Sequence, residues 1–263
     1  MQAVLKKQWV LFCYALSFFS RVPTPRSIDF KAFPFHLGNS YFPLVGTLSA
    51  IISFAVYYIA QYFFDNTISV ILMLMASLFF TGGFHEDGFA DTCDGFGGGY
   101  TKTQCLAIMK DSQIGTYGVL GLIILFALKI NVLNNLSLQS NFLFLGILIS
   151  SSMLSRLSIL GLIQYSQYAR NDATSKAANS AHRLPINYLV IALLPCLLSL
   201  YWMPILWCGI IFSIIIVSTL LCRLYFHKMI EGYTGDCLGF LQQFNELLIL
   251  LALVPLFQYC SPV

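Results

Sequence analysis

Long apolar runs recur along this chain, and they constrain its fold more than any other feature. The mean hydropathy is +0.77, and hydrophobic residues make up 58% of the chain, whereas charged residues make up 10%. A helix needs about 20 apolar residues to cross a bilayer, and seven runs approach that length: Tyr41–Phe64, Ile68–Gly82, Ile114–Ile130, Phe142–Tyr165, Ile186–Tyr201, Ile205–Cys222 and Phe240–Phe257. The sequence therefore predicts an all-α, polytopic integral membrane helix bundle of about seven transmembrane helices. We expect it to form one membrane-embedded domain over residues 1–263.

The N-terminal segment is apolar but too short to be an eighth span. Lys6 and Lys7 precede the stretch WVLFCYALSFFS, which has the composition of a signal-peptide core. Arg21 and Pro23 follow it, and no small-residue cleavage site does. We therefore expect a retained helix that is interfacial or re-entrant.

Lysine and arginine residues are concentrated in alternate connections between the predicted spans. The N-terminal segment and the long connections contain Lys6, Lys7, Arg21, Arg26, Lys31, Lys102, Lys110, Arg170, Lys176, Arg183, Arg223 and Lys228, whereas the other connections contain none. The positive-inside rule then predicts that the N-terminus and all long loops are cytoplasmic. The net charge of +3 is too small to indicate nucleic-acid binding.

Two basic residues fall outside this pattern. Lys129 lies at the far end of the third predicted span, where a long side chain is expected to snorkel toward water. Arg156 lies in the middle of the fourth, where a charge is costly, so we expect it to face the bundle and to form an ion pair or clamp a backbone carbonyl. A permeation path would be expected to contain further charges within the spans.

The stretch GGFHEDGFADTCDGFGGG, residues 82–99, places four acids on the predicted cytoplasmic face. If the second span continues as a helix past Gly83, then Asp87, Asp91 and Asp94 are spaced i, i+4 and i+7 and share one helical face. Unpaired carboxylates repel one another, so the stripe favours a hard divalent cation, and Mg²⁺ binds carboxylates together with substrate phosphates. The alternative is a solvated acidic loop at the membrane surface, but the alternation of acids with Gly, Ala and Phe favours a two-sided helix.

These residues resemble the signature of the cobalamin synthase (adenosylcobinamide-GDP ribazoletransferase) family. Other segments match the family in the same order: FFSRVPTP (18–25), MKDSQIGTYG (109–118) and TGDCLG (234–239). The chain departs from the usual family residue at four positions: Lys110 replaces an arginine, Asn171 a proline, Glu86 an apolar residue and Glu231 a glycine. None of these departures removes one of the central aspartates.

The resemblance implies a Mg²⁺-dependent transfer reaction at a bacterial inner membrane. In this family, adenosylcobinamide-GDP is joined to α-ribazole or its 5′-phosphate, and GMP is released. The implied partners are these two substrates and the lipid bilayer, with the active site on the cytoplasmic side. Contacts with other corrinoid-pathway enzymes and homo-oligomerisation are left open.

Pattern and resemblance together predict the site residues. The predicted catalytic residues are His85, Asp87, Asp91 and Asp94, and the predicted metal ligands are Glu86, Asp87, Asp91 and Asp94. The predicted substrate- and phosphate-binding residues are Arg21, Lys102, Lys110, Asp111, Ser112, Arg170 and Asp236. Three roles remain open: His85 is catalytic or structural, Asp236 is a ligand or a turn residue, and Asp111 or Ser112 caps the third span, a role compatible with an anion-binding helix N-terminus at the same place.

Two other function classes compete with this interpretation. CDP-alcohol phosphotransferases also place spaced aspartates on membrane helices, but their pattern continues with Asp-Gly-x-x-Ala-Arg, whereas FGGGY follows Asp94-Gly95 here. A cation transporter would use the acids as an ion site, and it predicts ionisable residues in several helices and inverted repeats. No convincing repeat is present.

Overall fold

Helices account for nearly all regular structure in a computed structural model, which describes residues 2–170 and 181–260. The basic loop residue Lys176 and the substituted Asn171 lie outside the described residues. The elements in chain order are α1 (Gln2–Phe19), a 3₁₀ helix (Phe35–Tyr41), α2 (Phe42–Ala60), α3 (Asn66–Thr81), α4 (Phe84–Gly98), α5 (Lys102–Ile108), α6 (Thr116–Leu136), α7 (Asn141–Tyr165), α8 (Ile186–Leu198), α9 (Ile205–Ile230) and α10 (Gly235–Cys260). Strand-like pairing in the described chain is limited to one isolated bridge, between Tyr168 and Tyr233.

Each of the seven predicted spans is helical, but fewer than seven helices qualify as membrane spans. Five helices are long and apolar enough to cross a bilayer: α2 with the preceding 3₁₀ helix, α6, α7, α9 and α10. The pair α3–α4 qualifies only as a broken or re-entrant span, which raises the number to six at most, and α8 is shorter than a span. The all-α polytopic architecture is therefore confirmed, whereas the number of seven spans is not.

The chain turns sharply between α3 and α4, so the prediction of one continuous helix past Gly83 is wrong. The two helices meet at 91°, because Gly82 and Gly83 both adopt a positive φ, 74° and 71°. Glycine adopts this left-handed conformation without steric cost and commonly ends a helix. The backbone N–H of Arg21 donates to the Phe80 carbonyl at 2.8 Å, which ties the segment after α1 to this corner. Helix α4 then begins anew, so the i, i+4, i+7 spacing of the aspartates is preserved.

Helix α7 forms the centre of the bundle and packs against α2, α9 and α10. Its small serines let neighbouring backbones approach closely, as is typical of membrane helix interfaces. The Ser152 hydroxyl donates to the Gly46 carbonyl at 3.1 Å. A Cβ added at Gly46 would lie only 3.0 Å from the Ser152 carbonyl oxygen.

Helix α1 is not among the candidate spans and packs along the 3₁₀ helix instead. Its buried face includes Leu11 and Tyr14, and the Tyr14 hydroxyl donates to the Asp29 carbonyl at 2.7 Å. The Lys7 ammonium lies 5.3 Å from the centre of the Phe33 ring. The predicted N-terminal helix is therefore present, and whether it lies at the membrane interface stays a prediction.

The end of the bundle away from α4 is polar but almost uncharged. The Asn66 amide donates to Asn134 Oδ1 at 2.9 Å and to Ser137 Oγ at 2.8 Å, which joins the start of α3 to the end of α6. Asp65 caps α3 by accepting from the Ile68 N–H at 2.9 Å. The two ends of the bundle therefore differ in charge, as the alternating pattern of basic connections predicts.

Candidate active site

Helix α4 crosses the start of α10 at a contact between two glycines. A Cβ added at Gly88 would lie 2.9 Å from the Asp236 carbonyl oxygen, and one added at Gly239 would lie 2.9 Å from the His85 carbonyl oxygen. Any side chain at either position would separate the helices. The crossing therefore brings Asp236 of α10 beside the aspartates of α4.

The resulting cluster, Asp87, Asp91 and Asp236, is called here the α4–α10 acid group. Asp87 is exposed, while Asp91 and Asp236 are partly buried. The charges of Asp87, Asp236 and Asp94 all act on the Asp91 carboxyl, and the Arg170 guanidinium opposes them. The group therefore carries negative charge that one guanidinium does not balance.

Arg170 is held against this group by the backbone of its own segment. The Ala169 N–H donates to the Tyr233 carbonyl at 2.9 Å, and the Tyr233 N–H donates to the Gln167 carbonyl at 3.0 Å. The Arg170 guanidinium then donates to Asp236 Oδ2 at 2.7 Å. Its buried Nε–H has no hydrogen-bond partner among the described residues.

Asp236 lies in the first turn of α10, close to Asp87 and Asp91 of α4. The Thr234 hydroxyl accepts from the Cys237 N–H at 3.3 Å, as a helix N-cap does, and donates to Asp236 Oδ2 at 3.2 Å. Of the two predicted roles, the position beside Asp91 favours participation in the site. Sequence reasoning did not anticipate the pairing with Arg170, which is 66 residues away.

Asp94 is directed away from the acid group toward the N-terminus of α6. Its carboxylate accepts from the Gly115 N–H at 2.7 Å and from the Gly118 N–H at 2.8 Å, and the residue is 7% exposed. A carboxylate at this position satisfies free amides and complements the helix dipole. A Cβ at Gly115 would lie 2.5 Å from Asp94 Oδ1, so the glycine is required for this contact.

Asp94 also corrects the predicted capping of α6. The N-cap of α6 is Gly115, and no side-chain cap from its own loop is present. Asp111 instead accepts from the Gln113 N–H at 3.0 Å within the loop, and Ser112 is exposed. Capping by Asp111 or Ser112 is therefore wrong, because a carboxylate 21 residues upstream takes that position.

Glu86 points into the bundle rather than toward Asp87, so its placement does not favour the predicted role as a metal ligand. Its Oε1 accepts from the Gln243 amide at 2.8 Å. The Lys129 ammonium donates to Gln243 Oε1 at 2.6 Å and to Glu246 Oε2 at 2.8 Å. These side chains, together with Gln242 and Arg156, are called here the buried charge network.

This network overturns one sequence prediction and adds a residue that the sequence analysis missed. Lys129 is 4% exposed and paired within the bundle, so the prediction that it snorkels is wrong. Sequence analysis also overlooked Glu246 as a charge inside the last span, although the polar run QQFNE, residues 242–246, interrupts an apolar helix. Such a run is the signal that a buried polar contact is present.

Arg156 faces the bundle, as predicted. Its guanidinium donates to the Ser152 carbonyl at 2.9 Å and lies 5.5 Å from the centre of the Phe42 ring. The charges of Glu246 and Glu86 attract it. The predicted carbonyl clamp is therefore present, supported by longer-range attraction from two carboxylates.

His85 is buried among aromatic rings and does not contact the acid group. It is 1% exposed, and its ring stacks on Phe42 with a centroid distance of 5.5 Å. Neither ring nitrogen has a hydrogen-bond partner in the described part of the chain. This position favours the structural alternative for His85 over direct catalysis.

The remaining predicted phosphate-binding residues lie around the same end of the bundle. Lys102 pairs with Glu231 at 2.7 Å, Lys110 follows α5, and the Arg21 side chain packs on Gly82. Glu231 has a φ of 60°, which explains why a glycine suits this helix end. Across residues 2–170 and 181–260, no three His, Cys, Asp or Glu side chains are placed to hold a metal ion together.

An apolar groove of about 930 Å³ borders the other side of α4. Cys93 and Phe96 of α4, Tyr117 of α6, Tyr225 of α9 and Phe240 of α10 contribute to its walls. Helix α4 therefore carries the acid group on one side and borders this groove on another.

Comparisons with known proteins agree with the motifs. The family model described as "Cobalamin-5-phosphate synthase" matches residues 11–254. The chain is 39% identical over 256 residues to the adenosylcobinamide-GDP ribazoletransferase of Shewanella amazonensis, covering 96% of this chain and 97% of the relative. It is 40% identical to that of Shewanella woodyi over 257 residues, covering 95% and 98%, and 36% identical to one from Vibrio cholerae over 259 residues, covering 98% of both chains.

No solved structure matches the chain. The family model and the relatives nevertheless cover α4, the loop before α6 and the start of α10, which are the segments that form the site. On this evidence, the chain belongs to the cobalamin-5-phosphate synthase family.

Proposed function

We propose that this protein is a membrane transferase that joins adenosylcobinamide-GDP to α-ribazole or its 5′-phosphate and releases GMP. The observation that carries the proposal is the similarity over nearly the whole chain to proteins bearing the name of this activity. We place the reaction at the α4–α10 acid group. It lies beside Arg170, in an end of the bundle that is rich in basic residues.

We further propose that Asp87 and Asp91 hold Mg²⁺. The acid group offers only oxygen atoms as metal ligands. Its three carboxyl groups outnumber the one positive charge beside them, that of Arg170. Mg²⁺ commonly uses one or two protein carboxylates and completes its coordination with water and substrate phosphates, so a set of three protein ligands is not required. When bound, the ion would neutralise the diphosphate whose bond is broken.

The chain's own residues would orient the substrates. Arg170 has an unpartnered Nε–H and suits a phosphate oxygen, since a guanidinium forms charge-assisted hydrogen bonds with phosphates. A carboxylate of the acid group would accept the proton of the attacking ribose hydroxyl. The apolar groove beside α4 suits the aromatic base of ribazole, because aromatic groups gain most from burial next to Phe and Tyr rings.

The decisive experiment is a transfer assay with the purified, detergent-solubilised protein. Adenosylcobinamide-GDP and α-ribazole are incubated with and without Mg²⁺, and GMP and the corrinoid product are measured. We expect both products in equal amounts with Mg²⁺ and neither after chelation. Absence of GMP with all components present would contradict the proposed reaction. Equal rates of GMP release with and without chelation would contradict only the proposed Mg²⁺ dependence.

We also propose that the acid group faces the cytoplasm of a bacterial inner membrane and that the N-terminus lies on the same side. The basic residues of the described connections support this orientation through the positive-inside rule. Single cysteines introduced at Lys31 and at Gln139 test it by labelling with a membrane-impermeant maleimide in spheroplasts. We expect labelling at Gln139 only, and the reverse pattern would overturn the orientation.

A further inference from the structure

A second groove with apolar walls runs between α7 and α9, away from the acid group. Its volume is about 470 Å³, and Leu157, Leu162, Ile216 and Leu220 contribute to its walls. Ile216 and Leu220 are 56% and 49% exposed. Both helices are candidate spans, so the groove faces the hydrocarbon region of the bilayer.

A glycine leaves this groove open. A Cβ added at Gly161 of α7 would meet no atom within 4 Å. Ser158 and Thr219, which are also small, line the same groove. An extended apolar chain therefore has room to lie along α7, where larger side chains would fill the space.

The groove leads into a polar pocket at the α4 end of the bundle. This pocket has a volume of about 300 Å³ and is lined in part by Ser166, Arg183, Arg223 and His227. Tyr165 and Arg223 line both the groove and the pocket. The Arg223 Nε–H donates to the Tyr165 carbonyl at 3.0 Å, which fixes the guanidinium at the junction.

The charge of the pocket is positive. Among the described residues that line it, Glu231 is the one acid, and it pairs with Lys102 at 2.7 Å. Arg183 and Arg223 form no ion pair with a carboxylate in the described chain. The Ser166 hydroxyl is buried and has no partner among the described residues. Two guanidinium groups and a hydroxyl are suited to binding a phosphate group.

We propose that pocket and groove together bind one anionic phospholipid. The headgroup phosphate would contact Arg183 and Arg223, and one acyl chain would lie along α7 past Gly161. A free phosphate would account for the two arginines of the pocket but not for the apolar groove that opens into it. A neutral lipid would account for the groove but not for the positive charge of the pocket. Basic residues at the end of a membrane helix attract anionic lipids in this way.

Native mass spectrometry of the delipidated, full-length protein in detergent tests the proposal without any substrate of the transferase. Phosphatidylglycerol and phosphatidylcholine with the same acyl chains are added separately. We expect one phosphatidylglycerol to bind at least about fivefold more tightly than phosphatidylcholine, the factor for one lost interaction between an arginine and an anionic headgroup. The double variant Arg183→Gln/Arg223→Gln should lose this preference, and Gly161→Leu should weaken binding of both lipids.

Two control variants match these changes outside the site. Lys228→Gln removes one positive charge from the same end of α9, and Gly209→Leu adds the same side chain at a glycine of α9 that, like Gly161 of α7, has open space around it. Both should bind lipid like the unchanged protein. Thermal unfolding of each variant shows whether it is folded, and lipid binding is compared only among folded variants.

Three results would overturn the proposal. The first is equal binding of the two lipids by the unchanged protein. The second is that inorganic phosphate displaces the bound phosphatidylglycerol, that binding requires the two arginines, and that Gly161→Leu does not change it. The pocket would then be a phosphate site that does not use the groove. The third is a dimeric mass whose formation Gly161→Leu abolishes, which would make the groove an interface between copies. Because no substrate is present, none of these results depends on the proposed transfer reaction.

Discussion

Two groups of acidic side chains lie on different sides of α4, and they differ in how their charge is balanced. In the buried charge network, Glu86 and Glu246 are accompanied by Lys129 and Arg156, so two negative charges meet two positive ones. In the α4–α10 acid group, three carboxylates share Arg170. A balanced and buried group supports the fold, whereas an unbalanced group that is open to solvent is suited to a positively charged ligand.

The largest expected effect is a loss of stability when the buried charge network is broken. Glu246→Gln leaves the Lys129 ammonium buried without its carboxylate partner, and breaking a buried ion pair in this way costs about 3–5 kcal/mol. Thermal unfolding in detergent should show a correspondingly large loss of stability. The double variant Glu246→Gln/Lys129→Met should recover most of it, and a double variant as unstable as the single one would contradict the ion-pair role.

The next effect separates two adjacent residues on α4. Asp87→Asn should reduce GMP release by about 100-fold or more, the typical loss when a group that stabilises transition-state charge is removed. Glu86→Gln changes the neighbouring carboxylate to an amide and should lower the rate only slightly per folded molecule, because Glu86 faces Gln243. Comparable loss of activity in both variants would remove the distinction between the two groups.

A smaller effect concerns Asp94, which was predicted as a ligand and lies at the α6 N-terminus. Asp94→Asn replaces a charged acceptor of two backbone amides, and one hydrogen bond to a charged group contributes about 1.5–3 kcal/mol. We expect a loss of stability in this range in thermal unfolding. A variant with unchanged stability and no Mg²⁺-dependent activity would instead favour the ligand role.

The smallest effect is expected at the opposite end of the bundle. Asp65→Ala removes the N-cap of α3, which typically costs about 1 kcal/mol. Activity at low temperature should be unchanged, since the residue lies at the far end of α3 from the corner that leads into α4. Loss of activity without loss of stability would show that the site extends farther through the bundle than the acid group.

Sequence alone predicted a large part of this protein because the underlying signals are local. Apolar runs near the length of a span predicted the helices, and residue spacing predicted that Asp87 and Asp91 share a face of α4. A mid-span arginine predicted a side chain that faces the bundle, and Arg156 does so. The segments that resemble the family were also visible in order along the chain, and the family model matches residues 11–254.

Only the tertiary structure decided which acids act together. Helical spacing gives a common face, but Asp94 lies two turns, about 10 Å, beyond Asp87 along the axis, and there it meets α6 rather than its neighbours. Asp236 joins the group instead, because Gly88 and Gly239 let two backbones touch across 151 residues of sequence. Contacts between residues so far apart depend on how whole helices rotate and cross, and that rotation is set by side-chain packing rather than by any local run of residues.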